Sequence, residues 1–288
     1  MSLDPFGTHR RLLFTVAYEM LGSAADAEDV VQETWLRWAD VDQAEVRDPR
    51  AYLVRIVTRQ ALNRLRTLAR RREEYVGEWL PEPLLTSPDV AEDVELAESV
   101  SIAMLTVLET LDPTERAVFV LREVFDLPYD EIAAAVDKSP AAVRQIAHRA
   151  REHVAARRPR MQVSRAEQRA VIERFLVALR NGDVQGLLDV LAPEVVLRSD
   201  GGGVVAAARH PIEGAEGVAR FLALLAKIAP GARLDTVWLN GAPAARIDFA
   251  GEITAVSLVI EGGRITRIYA IRNPHKLTRL GVAAELSR

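Results

Sequence analysis

Residues Ser139–His153 read SPAAVRQIAHRAREH, and the division of this stretch between two helix faces sets the reading of the whole chain. A Ser followed by Pro starts a helix, because the hydroxyl accepts an orphan amide and Pro has no amide to leave unpaired. Val143, Ile146, Ala147, Ala150 and Val154 then recur at helical spacing and form an apolar stripe. Arg144, Gln145, His148, Arg149 and Arg151 take the other side. Upstream, LPYDEIAAAVDK supplies a shorter helix from Tyr129 to about Val136, striped by Ile132, Ala133 and Val136. Two short helices joined by a tight turn, the second small at its start and basic outward, form the helix-turn-helix pattern. Ala141 and Ala142 would let the backbone approach a major groove, where Arg144 and Arg149 reach guanine or phosphate and Gln145 pairs with adenine. An amphipathic helix pair with a solvated basic face is the plainer alternative.

A second segment weighs against that alternative. RAYLVRIVTRQALNRLRTLARRR, residues 50–72, lines one helix face with Leu53, Ile56, Val57, Ala61, Leu65 and Leu68. Arg55, Arg59, Asn63, Arg64, Arg66 and Arg70 occupy much of the rest, and Arg70, Arg71 and Arg72 read as sequence-blind phosphate neutralisers. A basic helix and a helix-turn-helix joined by a tether read as a protein gripping DNA at two places. The formal net charge of −4 does not oppose this, since binding follows local rather than summed charge.

The bulk numbers narrow the class. A chain of 288 residues is comfortable for two or three domains. It has no Cys, and its five His are scattered without ligand spacing, so disulfide, thiolate, metal and cofactor chemistry are not expected. MSLDPFGTHRR has no signal-peptide core, and no apolar run approaches the ~18 residues of a membrane span, so a cytoplasmic location without a membrane partner is expected.

Further helix starts are visible at Ser23-Ala24-Ala25-Asp26, ahead of Ala27, Val30, Val31, Thr34, Trp35 and Trp38, and at Asp112-Pro113-Thr114-Glu115. Ser164-Arg165-Ala166-Glu167 opens another helix, ended near Asn181-Gly182. Between the helical segments, residues 75–95 contain Gly77, Pro81, Pro83 and Pro88, which forbid a long helix. This linker also carries Tyr75, Trp79, Leu80, Leu84 and Leu85, so it is expected to dock on a neighbouring surface. Beyond Arg160 strand-like runs take over: EVVLRSD, GVVAAARH, TVWLNG, AARIDFAG, EITAVSLVIEGG and RITRIYAIRNP, with a helix at about Ala215 to Ile228. N-G and Gly-Gly turns point to antiparallel hairpins, and the pattern is α+β with helices on one face of a curved sheet.

Taken in order, these segments resemble the extracytoplasmic-function sigma factors of bacterial RNA polymerase. SAADAEDVVQETWLRWAD (residues 23–40) is similar to the sigma-2 helix that docks on the polymerase clamp, and residues 51–72 to the segment that melts and reads the −10 element. LDPTERAVFVLREVFDLPYDEIAAAVDKSPAAVRQIAHRAR (residues 111–151) is similar to sigma-4, which reads the −35 element. WLPEPL (residues 79–84), DGGG (residues 200–203) and NPHKL (residues 273–277) resemble signatures of a subgroup with a fused C-terminal SnoaL-like domain, which there stands in for a separate anti-sigma partner. Two positions depart from the subgroup: Val204 stands where Lys is usual, and His275 where Asp is usual.

The resemblance implies two all-α domains, sigma-2 (1–74) and helix-turn-helix sigma-4 (96–158), joined by a linker (75–95) and followed by a SnoaL-like α+β cone with a curved antiparallel sheet (159–288). It assigns core polymerase to Asp29, Gln32, Glu33 and Arg37, facing out while Val30, Val31, Thr34 and Trp35 face in. Promoter melting falls to Arg59, Asn63, Arg64 and Arg66, with Arg70 and Arg71 on phosphates; upstream recognition falls to Arg144, Gln145, His148 and Arg149. A regulatory contact is expected between Trp79, Leu80, Pro81, Glu82 and Pro83 of the linker and two loops, Asp200, Gly201, Gly202, Gly203 and Asn273, Pro274, Lys276, Leu277. The plainer reading of those loops is a flexible hairpin and a strand end.

The function so implied is that of an alternative sigma factor whose partners are core RNA polymerase and promoter DNA, with activity modulated by the last domain and room in the cone for an unidentified small ligand. A one-component, ligand-sensing helix-turn-helix regulator is the alternative. It would be a dimer on a two-fold site and leaves residues 23–72 unexplained. An isomerase or cyclase would draw on Asp200, His210, Asp235, Asp248 or His275, but no spacing brings two of them together, and no enzyme is expected.

Overall fold

All four helix starts signalled by the sequence are capped in the computed structural model, which describes residues 4–72, 75–91, 93–158 and 164–288. Ser23 accepts from the Asp26 amide, Asp112 from Thr114 and Glu115, and Ser139 from Ala142, while Ser164 and Glu167 complete a reciprocal capping box. Helices α1 (Pro5–Leu21), α2 (Ala24–Ala39) and α3 (Pro49–Arg72) pack together. Residues 12–21 of α1 are buried all round, the mark of a central helix. On α2 the core takes Ala27, Val30, Val31, Thr34 and Trp38. The expectation that Trp35 faces inward is corrected: it is 47% exposed. Trp38, one turn beyond Thr34, holds the stripe, and Trp35, at the margin of the stripe one turn beyond Val31, turns to solvent.

The second helical group contains α4 (Val94–Ser99), α5 (Ile102–Leu108), α6 (Pro113–Phe119), α7 (Tyr129–Val136) and α8 (Pro140–Ala155). Helix α6 continues into a π-helical turn at Val120–Val124. The turn between α7 and α8 is closed by Asp137 in the left-handed conformation, φ 56°, with the Lys138 amide donating to the Ala133 carbonyl. The two groups are not separate bodies here. Helix α3 packs on α7, and one apolar core runs from Phe6 to Val154.

That shared core contains one ionic cluster. Glu19 of α1, fully buried, accepts from Ser99 Oγ at 2.7 Å, and Arg116 Nε of α6 donates to the Glu19 carbonyl at 3.0 Å. Arg116 also pairs with Glu109. Glu19 Oε2 and Arg116 Nη2 have no hydrogen-bond partner.

The last 125 described residues begin with α9 (Arg165–Asn181) and α10 (Val184–Val190). A six-stranded sheet follows: β1 (Leu191–Asp200), β2 (Ile212–Glu213), β3 (Arg233–Leu239), β4 (Ala242–Phe249), β5 (Glu252–Glu261) and β6 (Arg264–Ile271), with α11 (Ala215–Ile228) after β2. The strand order is β2-β1-β6-β5-β4-β3. As expected, the sheet is mostly antiparallel, with β1 and β6 paired parallel where the chain crosses the whole sheet between them. One expectation is corrected. Residues 203–210 form a turn and strap rather than a strand, since Gly202 and Gly203 take positive φ and break the extended run.

Alternation along the strands gives the sheet two different faces. One packs on α9 and α11 through Leu197, Val256 and Ile268. The other carries Leu239, Ala244, Ala255, Val259, Tyr269 and Ile271 and packs on Leu80 of the linker and Ile102 and Ala103 of α5. Among the described residues no helix is long and apolar enough to cross a membrane.

Burial raises the Glu19 carboxyl to about 8 from 4.5, with the Ser99 bond and Arg116 opposing; burial also lowers Arg116 to about 9, still charged at neutral pH. A carboxyl raised on folding contributes fully below about pH 4.5 and loses its contribution as pH rises to about 8. Glu19→Gln is expected to flatten the fall in thermal midpoint between pH 5 and 8 and to raise the midpoint at pH 8 by roughly 2–4 °C, read by calorimetry.

Candidate nucleic-acid interface and linker clasp

Helix α8 presents Arg144, Gln145, His148 and Arg149 together on its exposed face, opposite Val143, Ile146, Ala147 and Ala150. Arg144 lies 5.6 Å over the Tyr129 ring, Arg149 Nε is 3.9 Å from Glu115, and His148 Nε2 is 3.5 Å from Glu152. Exposed pairs of this kind contribute little and exchange readily for phosphate.

Helix α3 is engaged differently. Arg59 Nη2 donates to the Ala134 carbonyl of α7 at 2.9 Å. Arg64 lies 3.5 Å from Asp26, 3.3 Å from Asp29 and 3.5 Å from Glu33, all on α2. The basic group expected on DNA is thus paired with carboxylates expected on polymerase. Gln32 and Arg37 are exposed beside them. Asn63 is exposed and 3.5 Å from Arg66 Nη1. The side chains of Arg70 and Arg71 lie outside the described residues.

The three short motifs meet at Asp200, which has no exposed surface. Its Oδ1 accepts from Tyr75 Oη at 2.6 Å and the Gly202 amide at 3.0 Å; Oδ2 accepts from the Leu80 amide at 2.9 Å and Lys276 Nζ at 2.7 Å. A buried carboxylate survives only with its charge matched and its lone pairs filled. Lys276 supplies the charge, donates also to the Leu80 carbonyl, and lies 4.0 Å from the Trp79 ring centre and 5.1 Å from that of Tyr75. Asn273 Nδ2 donates to Tyr75 Oη at 2.8 Å, and its Oδ1 caps the short turn Pro274–Lys276. Burial, then the bond to the Asp200 carboxylate, raises the Tyr75 hydroxyl and keeps it a donor.

Gly202, at φ 63°, is dictated by this packing: a Cβ there would lie 2.3 Å from Asn273 Nδ2. One on Gly201 would lie 2.3 Å from the Val205 carbonyl oxygen, and one on Gly203 3.1 Å from Val76. Leu277 is buried beside Leu80, whereas Pro274, Val204 and His275 face solvent. The two positions that depart from the subgroup pattern therefore stand outside the cluster.

The linker is held on more than one side. Pro81 and Pro83 are buried, and between them Glu82 Oε2 accepts from the Ala24 and Ala25 amides at 2.8 and 3.2 Å, the open N-terminus of α2. Burial raises the Glu82 carboxyl, and those two amides oppose the shift. Next, the Leu84 amide donates to Asn240 Oδ1 at 2.9 Å, and Leu85 bridges to Leu239 at the sheet edge. Asn240 Nδ2 donates to Tyr18 Oη of α1 and to the Val100 carbonyl, each at 2.7 Å. The tail also returns, with the Ala284 amide on the Leu85 carbonyl and the Ser287 amide on Thr15 Oγ1.

Sequence reasoning missed Asn240 as a junction, Tyr75 as a polar partner, and the Glu19–Arg116 cluster. For Asn240 the only signal was the N-G turn, which indicates a left-handed residue, here φ 52°, and nothing about its side chain.

The cone encloses a cavity of about 690 Å³ between the sheet, α9 and α11. Among its described lining residues there is no Asp or His. Asp200 belongs to the clasp, His210 and His275 are exposed, and Asp235 and Asp248 pair with Arg233. The convergent Asp/His pair that an isomerase reading requires is not brought together. No group of three or more potential metal ligands occurs among the described residues.

Family comparison places Sigma-70 region 2 on residues 6–71 and Sigma-70, region 4 on residues 101–154. The chain is 36% identical to the ECF RNA polymerase sigma factor SigJ of Mycobacterium tuberculosis, over 96% of this chain and 94% of that protein. It is 34% identical to the probable ECF RNA polymerase sigma factor SigI of the same organism, over 94% and 93%. The crystal structure of SigJ superposes with a TM-score of 0.78 at 34% identity, covering 95% of this chain and 97% of the other.

Removing Asp200 strands a buried ammonium. Asp200→Ala is expected to weaken the clasp by about 3–5 kcal/mol and to expose residues 75–84 to limited proteolysis; Asp200→Asn, which keeps the acceptor but not the charge, should fall between it and the wild type.

Proposed function

We propose a working cycle on one premise: the chain belongs to the extracytoplasmic-function sigma factors and is an alternative sigma factor for promoter recognition. Core RNA polymerase binds the outer face of α2 through Asp29, Gln32, Glu33 and Arg37. Arg59, Asn63, Arg64 and Arg66, with Arg70 and Arg71, open and read the −10 element; unstacked bases need polar edges and phosphates need arginine. Arg144, Gln145, His148 and Arg149 read the −35 element from the major groove. The ligand-sensing dimeric regulator is not favoured, because it has no use for a region 2.

The observation that carries the proposal is the contact of α3 with α7, sealed by the Arg59 bond to Ala134. The −10 and −35 elements lie about 25 base pairs apart, roughly 80 Å along the helix at ~3.4 Å per pair. Helices in contact do not span that distance, so the closed form is the resting state. Residues 75–93, fully extended, reach roughly 60 Å. Added to helical domains each more than one ~10–12 Å helix wide, that covers the promoter only if the linker leaves the sheet. The clasp and Asn240 therefore set the equilibrium between resting and promoter-binding forms. Opening also frees Arg59 from the Ala134 carbonyl and bares the DNA face of α3.

The test is run-off transcription with core polymerase and a candidate promoter. Arg149→Ala and Gln145→Ala are expected to lower initiation while leaving core binding unchanged. Asn240→Gly keeps the positive φ but takes one hydrogen-bond partner from each of the Leu84 amide, the Tyr18 hydroxyl and the Val100 carbonyl, at about 1 kcal/mol each, and should raise core association tenfold or more. Unchanged association, with the thermal midpoint of Asn240→Gly lowered, would remove the C-terminal domain from control of opening.

A further inference from the structure

The ionic cluster around Glu19 lies in the seam between the two helical groups rather than inside either. Tyr18 and Glu19 come from α1, Ser99 from the end of α4, Glu109 from the end of α5 and Arg116 from α6. The seam is dry: Tyr18 and Glu19 have no exposed surface, and Arg116 is 2% exposed. None of these side chains belongs to the faces proposed to meet polymerase or DNA.

Charges and hydrogen bonds do not balance at Glu19. Arg116 faces two carboxylates and is matched to the other one, since its guanidinium pairs with Glu109 and its Nε goes to the Glu19 main-chain carbonyl at 3.0 Å. The Glu19 carboxyl takes the Ser99 hydroxyl at 2.7 Å on Oε1, while Oε2 has no partner among the described residues. The linker brings no cation here: Glu82 lies beside Tyr18, whose hydroxyl donates to the Glu82 carbonyl at 2.7 Å. Ser99 and Asn240, which donates to Tyr18 Oη, are neutral. An unmatched carboxylate in a dry site is costly, so the closed form favours the protonated carboxyl.

Opening divides the cluster. Glu19 leaves with α1, whereas Ser99, Glu109 and Arg116 leave with the second helical group. In water the Glu19 carboxyl returns to its ordinary range and ionises.

We propose that Glu19 is a proton-operated latch on the seam: the closed form holds a proton on its carboxyl, opening gives that proton to solvent, and rising pH therefore favours the promoter-binding form. The latch rests on the closed resting form proposed above and does not require control by the linker. Burial raises the Glu19 carboxyl to about 8 from 4.5. The latch is therefore fully engaged below about pH 4.5 and loses its hold as pH rises to about 8. Between those limits the open fraction rises roughly tenfold per pH unit. Arg116, lowered to about 9, titrates with the opposite sign only above that window. Glu82, also raised by burial, shifts in the same sense as Glu19 if its amides are lost.

The test uses the full chain and core polymerase. Glu19→Gln keeps the acceptor for Ser99 and cannot ionise, so comparison with it cancels the titration of polymerase and of Glu82. From about pH 6 to about pH 7.5 the core affinity of the wild type is expected to gain roughly twentyfold over that of Glu19→Gln. Near neutral pH, calorimetry in buffers of different ionisation enthalpy should count about one more proton released per complex by the wild type. A ratio constant within about threefold, or equal proton release, overturns the latch. Ser99→Ala, which removes the donor that favours the charged form, should carry the rise past about pH 8, and a rise that still ends there counts against the latch. The resting form is judged separately, by energy transfer between dyes at Asp40→Cys and Lys138→Cys in a chain without native Cys. High transfer lost on core binding supports it, and low transfer in the free chain overturns it.

Discussion

A carboxylate sealed from water organises this molecule. Asp200 sits at the end of β1 with both oxygens filled by donors from three separate parts of the chain. Such a group has no tolerable alternative when the contact is partly made, because each missing donor leaves charge or lone pairs in a dry site. Docking of the linker is therefore closer to all-or-none than a stack of apolar contacts would be. The glycines that follow serve the same end, since a side chain on Gly202 would occupy the place of the Asn273 amide group.

The linker transmits that constraint in both directions. Leu80 meets the sheet domain through Asp200, Glu82 meets the N-terminus of α2, and Leu84 meets Asn240, which in turn holds α1 and Val100, the residue after α4. Alternate residues of one linker segment thus tie together the two helical groups and the cone. Pro81 and Pro83 fit because an extended chain with fixed φ is what alternation requires, and their missing amides fall where no partner is needed. The Glu82 carboxylate on α2 exploits the positive end of the helix that also carries Asp29 and Glu33. Movement of the linker is consequently felt on the helix proposed to face polymerase.

Much of this was legible in the sequence, for local reasons. Caps at Ser23, Asp112, Ser139 and Ser164 are short-range hydrogen bonds between neighbours in the chain, and each formed as expected. The two faces of α8 follow from a 3.6-residue period. The docked linker was visible as apolar residues in a segment that cannot be helical. What failed required long-range information. Trp35 and Trp38 both fit the stripe of α2, and only packing against α3 decides between them, as the 5.8 Å approach of the Trp38 and Tyr52 rings shows. The run GVVAAARH has strand composition, yet it follows two left-handed glycines and serves as a strap. Glu19 and Arg116 are ninety-seven residues apart, and nothing local marks either as buried.

The balance of polar and apolar contacts bears on how such a closed form can be opened at all. Apolar surface, once buried, returns to water at a cost proportional to its area, whereas hydrogen bonds and ion pairs exchanged for water have small net value. Between the sheet domain and the helical groups, the apolar part includes Leu80, Ile102 and Ala103 against one sheet face and Ala284 and Leu286 against the helical core, and the polar part includes the Asp200, Glu82 and Asn240 junctions. Between α3 and α7 the seal is a single backbone-directed arginine and a shared core. An interface of this composition is specific in geometry, because its polar junctions are matched pair by pair. In the proposed cycle polymerase and promoter offer new partners to the same polar groups, carboxylates of α2 and arginines of α3 among them. Opening then replaces internal pairs with external ones of like chemistry, and that similarity keeps the closed form accessible to its partners while leaving it intact in their absence.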